Sequence, residues 1–214
     1  MSFIVLEGLD GSGGQTQTNL LKDFFEKNNT PFIIVRSPDY DNVVGQLFDD
    51  YLHGRVDLST EQVFLLCAMD VLNSVPKIKQ GLNEGKIVIA DRYITSTLAY
   101  RDAAGFPLEK GLRLVKTLDF PKPNLIIFLD IHPEISIQRK FSEKKNLDLH
   151  EKNENYLRKV RESYKKGISK NVLGKWVVVN GEKTKEEVHE KILKLINPYL
   201  RNNSEKHEKK NIKR

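Results

Sequence analysis

An apolar run, Phe3-Ile4-Val5-Leu6, leads without a break into Glu7-Gly8-Leu9-Asp10-Gly11-Ser12-Gly13-Gly14-Gln15-Thr16, and a helical pattern leaves that turn near Gln17. Strand, glycine-rich turn and helix in that order restrict the chain to folds in which a loop curls over the end of a buried strand. Glycines let the backbone turn several N–H groups inward, and the helix N-terminus adds partial positive charge, so such a loop can cradle phosphate. The full phosphate-loop pattern is Gly, four residues, Gly, Lys, then Ser or Thr. Gly8 and Gly13 set that frame, but Gly14 stands in the lysine's place and Gln15 in that of the magnesium-binding hydroxyl. The shape of the motif is kept and its cation is lost.

Four more apolar runs follow: Phe32–Val35, Ile87–Ala90, Leu125–Leu129 and Trp176–Val179. Helical patterns separate them. Ser59-Thr60-Glu61-Gln62 is a capping box that opens a long helix running to about Leu82, in which Pro76 is expected to kink or break the chain's course. Leu112 to Leu118 and Tyr156 to Lys166 read as helical, Pro133 starts a helix at the position proline favours, and Thr184-Lys185-Glu186-Glu187 opens the last one. Short, nearly continuous apolar strands alternating with helices predict a five-stranded parallel sheet covered on both faces. Ligands of such sheets bind outside the strands' carboxyl ends. Asp10, Arg36, Arg92 and Asp130 all fall just past those ends.

The chain's 214 residues suffice for one α/β domain with a substantial core. We expect this domain over residues 1–200, with a polar, mobile lid at about 140–156 and a disordered basic tail at 201–214. No apolar stretch is long enough to span a membrane, nor does the first strand resemble a secretory leader. Cys67 is the only cysteine, which fits a cytoplasmic protein. The net charge of +6 raises the question of nucleic acid, but the tail carries six Lys/Arg against Glu205 and Glu208 and so accounts for most of it. No nucleic-acid partner is expected. The five histidines are scattered, and no structural metal is expected.

Asp91-Arg92 follows the third strand. A carboxylate there can orient an arginine or a magnesium water, and the arginine's planar fork can grip phosphate; on spacing alone it can equally be a strand-end ion pair. The longer stretch Asp91-Arg92-Tyr93-x-x-Ser96-Thr97-x-Ala99-Tyr100 resembles the signature of thymidylate kinases. So do Glu7 to Gly13, Arg36-x-Pro38, Pro121-x-Pro123-Asn124-Leu125, and Leu129-Asp130-x-x-Pro133-Glu134 with Arg139, in the family's order from Phe3 to about Leu200. The resemblance implies a three-layer phosphate-loop fold, phosphoryl transfer from ATP to a deoxynucleoside monophosphate with Mg²⁺, and a homodimer. It implies that Gly11, Ser12, Gly13, Gly14, Gln15 and Thr16 surround the ATP phosphates. Asp10 would hold the sugar hydroxyl or order the magnesium shell, Arg36 and Arg92 would hold the acceptor phosphate beside Ser96, and Tyr100 would stack beside sugar or base. Asp91 would act on magnesium through water, and Arg139, Lys144 and Lys145 would close over the donor phosphates as a lid.

The chain departs from that family at three places. Gly14 and Gln15 remove the donor-side cation and hydroxyl, for which Thr16 and the lid lysines are the available compensations. Cys67-Ala68-Met69-Asp70-Val71 lacks the family's aromatic residue and the arginine four residues on that reads thymine; Asp70 could accept from a base N–H instead. Arg101 follows Tyr100 where the family prefers a small or amide residue. The readings in play are therefore a dTMP kinase with an altered loop, a nucleotide-binding homologue impaired in catalysis, and a kinase for another nucleoside monophosphate.

Overall fold

A computed structural model of the chain describes residues 2–143, 148–151 and 153–211, with side chains described as far as Leu200. The expected lid lysines Lys144 and Lys145 lie outside these residues. The described elements run β1 (Ser2–Gly8), α1 (Gly14–Lys27), β2 (Phe32–Arg36), α2 (Val43–Leu52), α3 (Thr60–Asn83), β3 (Ile87–Asp91), α4 (Ile94–Ala103), α5 (Leu108–Thr117), β4 (Leu125–Asp130), α6 (Pro133–Glu143), α7 (Glu154–Ser169), β5 (Trp176–Asn180) and α8 (Lys185–Asn211).

The five strands form one sheet, ordered β2-β3-β1-β4-β5, with every pairing parallel. Alternation along β1 supplies two cores. Phe3 and Val5 face Phe64, Val71 and Ile78 of α3 and the helices α4, α5 and α7, while Ile4 and Leu6 face Leu21 and Phe25 of α1 and Val188, Ile192 and Ile196 of α8. These are the three layers the apolar runs predict.

Register places the functional ends together. Arg36 pairs with Asp91, and Asp91 with Leu6, so β1 continues beyond β3 by the two residues that begin the glycine turn. The chain leaves β1 between β3 and β4 but returns at the sheet's edge as β2, which makes the β1 exit the switch point of the sheet.

Two local expectations need correction. Pro76 lies inside a single α3 of 24 residues and does not break it. Proline removes one N–H and frees a carbonyl one turn back, but Pro76 is on the exposed side, where water can satisfy what it frees. The helix expected at Leu112–Leu118 starts earlier, at Leu108. Residues Ile94–Ala103, which show no amphipathic period, form α4.

Candidate active site

The site is assembled on Glu7, the last polar residue of β1. Its side chain, 2% exposed, accepts at Oε1 from the backbone N–H groups of Tyr93 and Ser96, each at 3.1 Å, and at Oε2 from the Tyr164 hydroxyl at 2.8 Å. The Thr95 and Ser96 hydroxyls donate to it as well. A carboxylate held against the first turn of α4 complements the helix's positive end and fixes where that helix begins. Burial pushes the Glu7 carboxyl above its ordinary value against the pull of these donors.

With α4 fixed, Arg92, Ser96 and Tyr100 project together. Arg92 has φ 69°, a left-handed conformation that a non-glycine residue adopts at a cost of about 1 kcal/mol or more. That turn sends its guanidinium back toward the loop, where Nη2 donates to Asp10 Oδ1 at 2.8 Å. The Tyr100 hydroxyl donates to Asp10 Oδ2 at 3.0 Å, and the Arg92 guanidinium carbon stands 5.2 Å from the Tyr100 ring centre. Burial pushes the Asp10 carboxyl up, but Arg92 and the Tyr100 hydroxyl more than offset it and leave Asp10 below its ordinary value. Burial also holds the Tyr100 phenol well above its usual value, so Tyr100 is a donor here.

The glycine turn curls as its composition predicts. Gly11 and Gly13 have φ values of 72° and 96°, and Gly13 caps α1 without any side-chain hydrogen bond. No acidic residue occupies the first turn of α1. The amides there are left facing the cleft as an anion cradle. Asp91 hangs directly above: a Cβ built on Gly14 would lie 2.9 Å from its Oδ1, while its Oδ2 accepts from Arg36 Nε at 3.0 Å. Burial raises the Asp91 carboxyl, with Arg36 and Arg92 opposing.

The loop, Arg36, Asp91, Arg92, Ser96 and Tyr100 all line one cleft of about 570 Å³, within the range of small-molecule sites. Gln15 and Thr16 sit at its exposed mouth. Two residues expected there are elsewhere. Arg139 Nη1 donates to the carbonyls of Gly11 at 3.2 Å and Gly181 at 2.9 Å, bracing the loop from behind without lining the cleft. Asp130 is gripped by Arg161, whose Nε and Nη2 donate at 2.6 and 2.9 Å. Asp70 lines the cleft, but its oxygens accept from the Ser37 hydroxyl at 2.6 Å and the Asp39 N–H at 3.1 Å, so it shapes the loop after β2.

Three lining groups carry no sequence-level assignment. Lys140 of α6 packs its stem beside Gly11 and binds Glu143 Oε2 at 2.6 Å. Burial lowers its ammonium's affinity for the proton, but Glu143 and Asp10 outweigh that, so it stays cationic. His150, from the polar segment, and Arg101 of α4 meet at 3.2 Å at the other end of the cleft. A helical reading of Thr97 and Arg101, four apart like Ser96 and Tyr100, is the signal that places Arg101 here.

A family model described as thymidylate kinase matches residues 6–192. The chain is 30% identical over 204 residues to the thymidylate kinase of Fervidobacterium nodosum, covering 92% of this chain and 100% of that protein. It is 36% identical over 200 residues to a probable thymidylate kinase of Pyrococcus abyssi, with 91% and 95% covered. The thymidylate kinase of Danio rerio is 32% identical over 192 residues, with 89% and 87% covered.

Proposed function

The chain belongs to the thymidylate kinase family, whose members are ATP-dependent nucleoside monophosphate kinases, and from that premise we propose that it transfers the γ-phosphoryl group of ATP to dTMP, giving dTDP and ADP. The observation that carries this reading is the Asp10–Arg92–Tyr100 cluster, set between an amide cradle and the acceptor end of the cleft. A monophosphate held by Arg92 and Arg36 would present an oxygen in line with a γ-phosphorus resting on the amides of residues 13–16. That oxygen forms the new P–O bond, the bond to the β-phosphate bridge breaks, and ADP leaves with the electron pair. A phosphate monoester is largely dianionic at neutral pH, so no general base is required. Positioning and neutralisation of spread negative charge suffice.

At the donor end, Lys140 is the cation we assign to the work that position 14 cannot do, because its stem lies against Gly11 and its ammonium stays charged. Lid closure by the segment around residues 140–156 belongs to the same reading, as does a supporting role for Arg139 through the loop backbone. Among the described residues no group of three or more His, Cys, Asp or Glu could hold a metal alone. Magnesium in kinases needs only one or two protein oxygens beside the phosphates. The Asp91 carboxylate over the start of α1 and the Thr16 hydroxyl at the cleft mouth fit that demand. Bound there, the ion would neutralise charge on the transferring phosphates.

We further propose a cytoplasmic homodimer. Leu65 and Met69, one turn apart on α3, and Val43 and Leu47, one turn apart on α2, are exposed apolar residues that support it. No described helix is long and apolar enough to cross a membrane.

The test is a product assay with purified protein, ATP and Mg²⁺, offering dTMP, dUMP, dCMP, dGMP and dAMP in parallel. Formation of dTDP in preference to the others is expected. The absence of Lys at position 14 favours one rival, a nucleotide-binding homologue, which predicts bound nucleotide and no product from any acceptor.

A further inference from the structure

Asp70 of α3 is 4% exposed, and both of its oxygens are spent on one neighbouring stretch of chain. Oδ2 accepts from the Ser37 hydroxyl at 2.6 Å, and Oδ1 accepts from the Asp39 N–H at 3.1 Å. Hydrogen bonds to an ionised carboxylate are the stronger kind. The stretch they hold, residues 37–42, has few other anchors. Its Asp39, Tyr40 and Asp41 are exposed. At the near end the Ser37 N–H donates to the Asp91 carbonyl at 3.1 Å. At the far end α2 starts backbone against backbone, so that a Cβ on Gly45 would collide with the Asp39 carbonyl. Among the described residues, Asp70 supplies both of the side-chain hydrogen bonds that tie this stretch to another element.

That stretch is one wall of the cleft. Arg36 immediately precedes Ser37, and Pro38 and Tyr40 line the cleft beside it. The Tyr40 phenol is near enough to Asp10 and Arg92 to feel both charges. Asp70 itself is on a helix whose Phe64, Val71 and Ile78 pack in the core with Phe3 and Val5 of β1. An exposed loop is thus tethered to a rigid element. The apparent affinity of a site scales with the fraction of time the site is assembled, so a tether of this kind strengthens binding without touching the ligand. The donor amides are placed differently, by the glycine turn and the start of α1.

We propose that Asp70 is a positioning residue for the acceptor: through Ser37 and Asp39 it holds Arg36, Pro38 and Tyr40 in the geometry that binds the monophosphate. It touches neither the acceptor nor the reacting atoms. This rests on the reading of the cleft as a nucleoside monophosphate site. It goes beyond that reading by making affinity for the acceptor, and not for the donor, depend on a carboxylate of α3.

The test uses the full chain with Asp70→Ala, Asp70→Asn and Ser37→Ala, and it has two readouts. In hydrogen exchange of the ligand-free protein, the amides of residues 39–46 are expected to exchange about tenfold faster in Asp70→Ala, with those of β1 unchanged. In calorimetry, Asp70→Ala is expected to bind dTMP about 10- to 100-fold more weakly, the range for lost hydrogen bonds to a charged group, and ADP less than about threefold more weakly. Asparagine can still accept from the Asp39 N–H and can donate to the Ser37 oxygen, so Asp70→Asn should restore dTMP binding to within about threefold of the unchanged chain. Ser37→Ala cuts half of the clamp and leaves α3 untouched. It should show a smaller loss, again confined to dTMP, and it supplies the answer if Asp70→Ala shows no cooperative melt. Unweakened dTMP binding in the folded alanine variants, or equal loss of dTMP and ADP, overturns the proposal. An asparagine variant as weak as the alanine one overturns it too, because charge rather than the clamp would then be responsible.

Product formation is read separately. Faster exchange with a selective loss of dTMP binding, but no product from the unchanged chain, would leave the inference standing and remove the dTMP kinase reading. Product formation with an unaltered KM for dTMP in Asp70→Ala would do the reverse. An unchanged chain that binds no dTMP would remove both.

Discussion

Oδ1 of Asp91 lies so near Gly14 that a Cβ on residue 14 would meet it at 2.9 Å. Asp91 could retreat only by disturbing the 3.0 Å bond it accepts from Arg36. The missing side chain at 14 and the proposed grip of Arg36 on the acceptor are therefore mechanically linked. Gly14→Ala is expected to lower kcat/KM for the acceptor about tenfold, or ~1.4 kcal/mol, as read by steady-state kinetics with the acceptor varied. Lysine carries the same Cβ and begins with the same displacement, so Gly14→Lys should not raise turnover. A steep rise in that variant would refute the linkage.

Glu7→Gln tests the hub. Five donors converge on the carboxylate, and an amide would turn an N–H₂ against some of them. The expected loss of stability is about 2–4 kcal/mol, since a buried donor left unpaired costs ~1–3 kcal/mol. Urea denaturation with an unchanged slope and a lowered midpoint is the outcome that fits; a midpoint shift under 0.5 M, roughly 1 kcal/mol, does not.

Arg92 combines a strained backbone with the charge proposed to hold the acceptor phosphate. Arg92→Ala and Arg92→Gly should each lose roughly 10²–10³ in kcat/KM, by analogy with other preorganised charge-stabilising donors. Their stabilities should differ in an unusual direction, with glycine the more stable by about 1 kcal/mol because φ 69° suits it. Thermal melts of the pair decide this, and equal melting temperatures would argue against strain at residue 92.

The last prediction concerns pH. Burial, and then the Arg101 guanidinium, push the His150 imidazole from 6.5 down to about 3. Asp10 pulls the other way, and Tyr51, Tyr100 and Tyr156 are the rings that face it. The unfolded chain takes up a proton below 6.5 while the folded one does not, so this contribution is fully present above 6.5 and shrinks as pH falls. At pH 5.5 the loss is on the order of 1 kcal/mol. Melting temperature should fall more steeply between pH 7.5 and 5.5 in the unchanged chain than in His150→Gln. Parallel slopes would place His150 in solvent.

The strands were readable because each is a short apolar run that parallel pairing buries on both faces. The loop after β1 was readable because its left-handed torsions favour glycine. α4 was not: Ile94 to Arg101 are buried all round, so no hydrophobic stripe betrays the helix. The proline rule overstated Pro76, because the cost of a freed carbonyl depends on access to water, which a sequence does not display. Arg36, Arg92, Asp10 and Tyr100 could be located as strand-end or signature residues. Arg139 and Lys140 are neighbours on one helix with opposite fates, one behind the loop and one beside it. Only the helix's rotation decides which is which. Arg101 was visible as an odd residue, and its burial against His150 and Tyr156 needed coordinates.

The two halves of the cleft store their instructions in different alphabets. The acceptor half is written in side chains, so single substitutions edit it, one letter and one contact at a time. The donor half is written in torsion angles, 72° at Gly11 and 96° at Gly13, with amides as the reading heads. Side chains at Gln15 and Thr16, at the exposed mouth, can drift with little consequence for that script. Replacing either twisted glycine would garble it without removing a single functional group. A loop that lacks the motif's lysine is thus not a blank; it still carries a message in the part of the chain that side-chain comparison does not see.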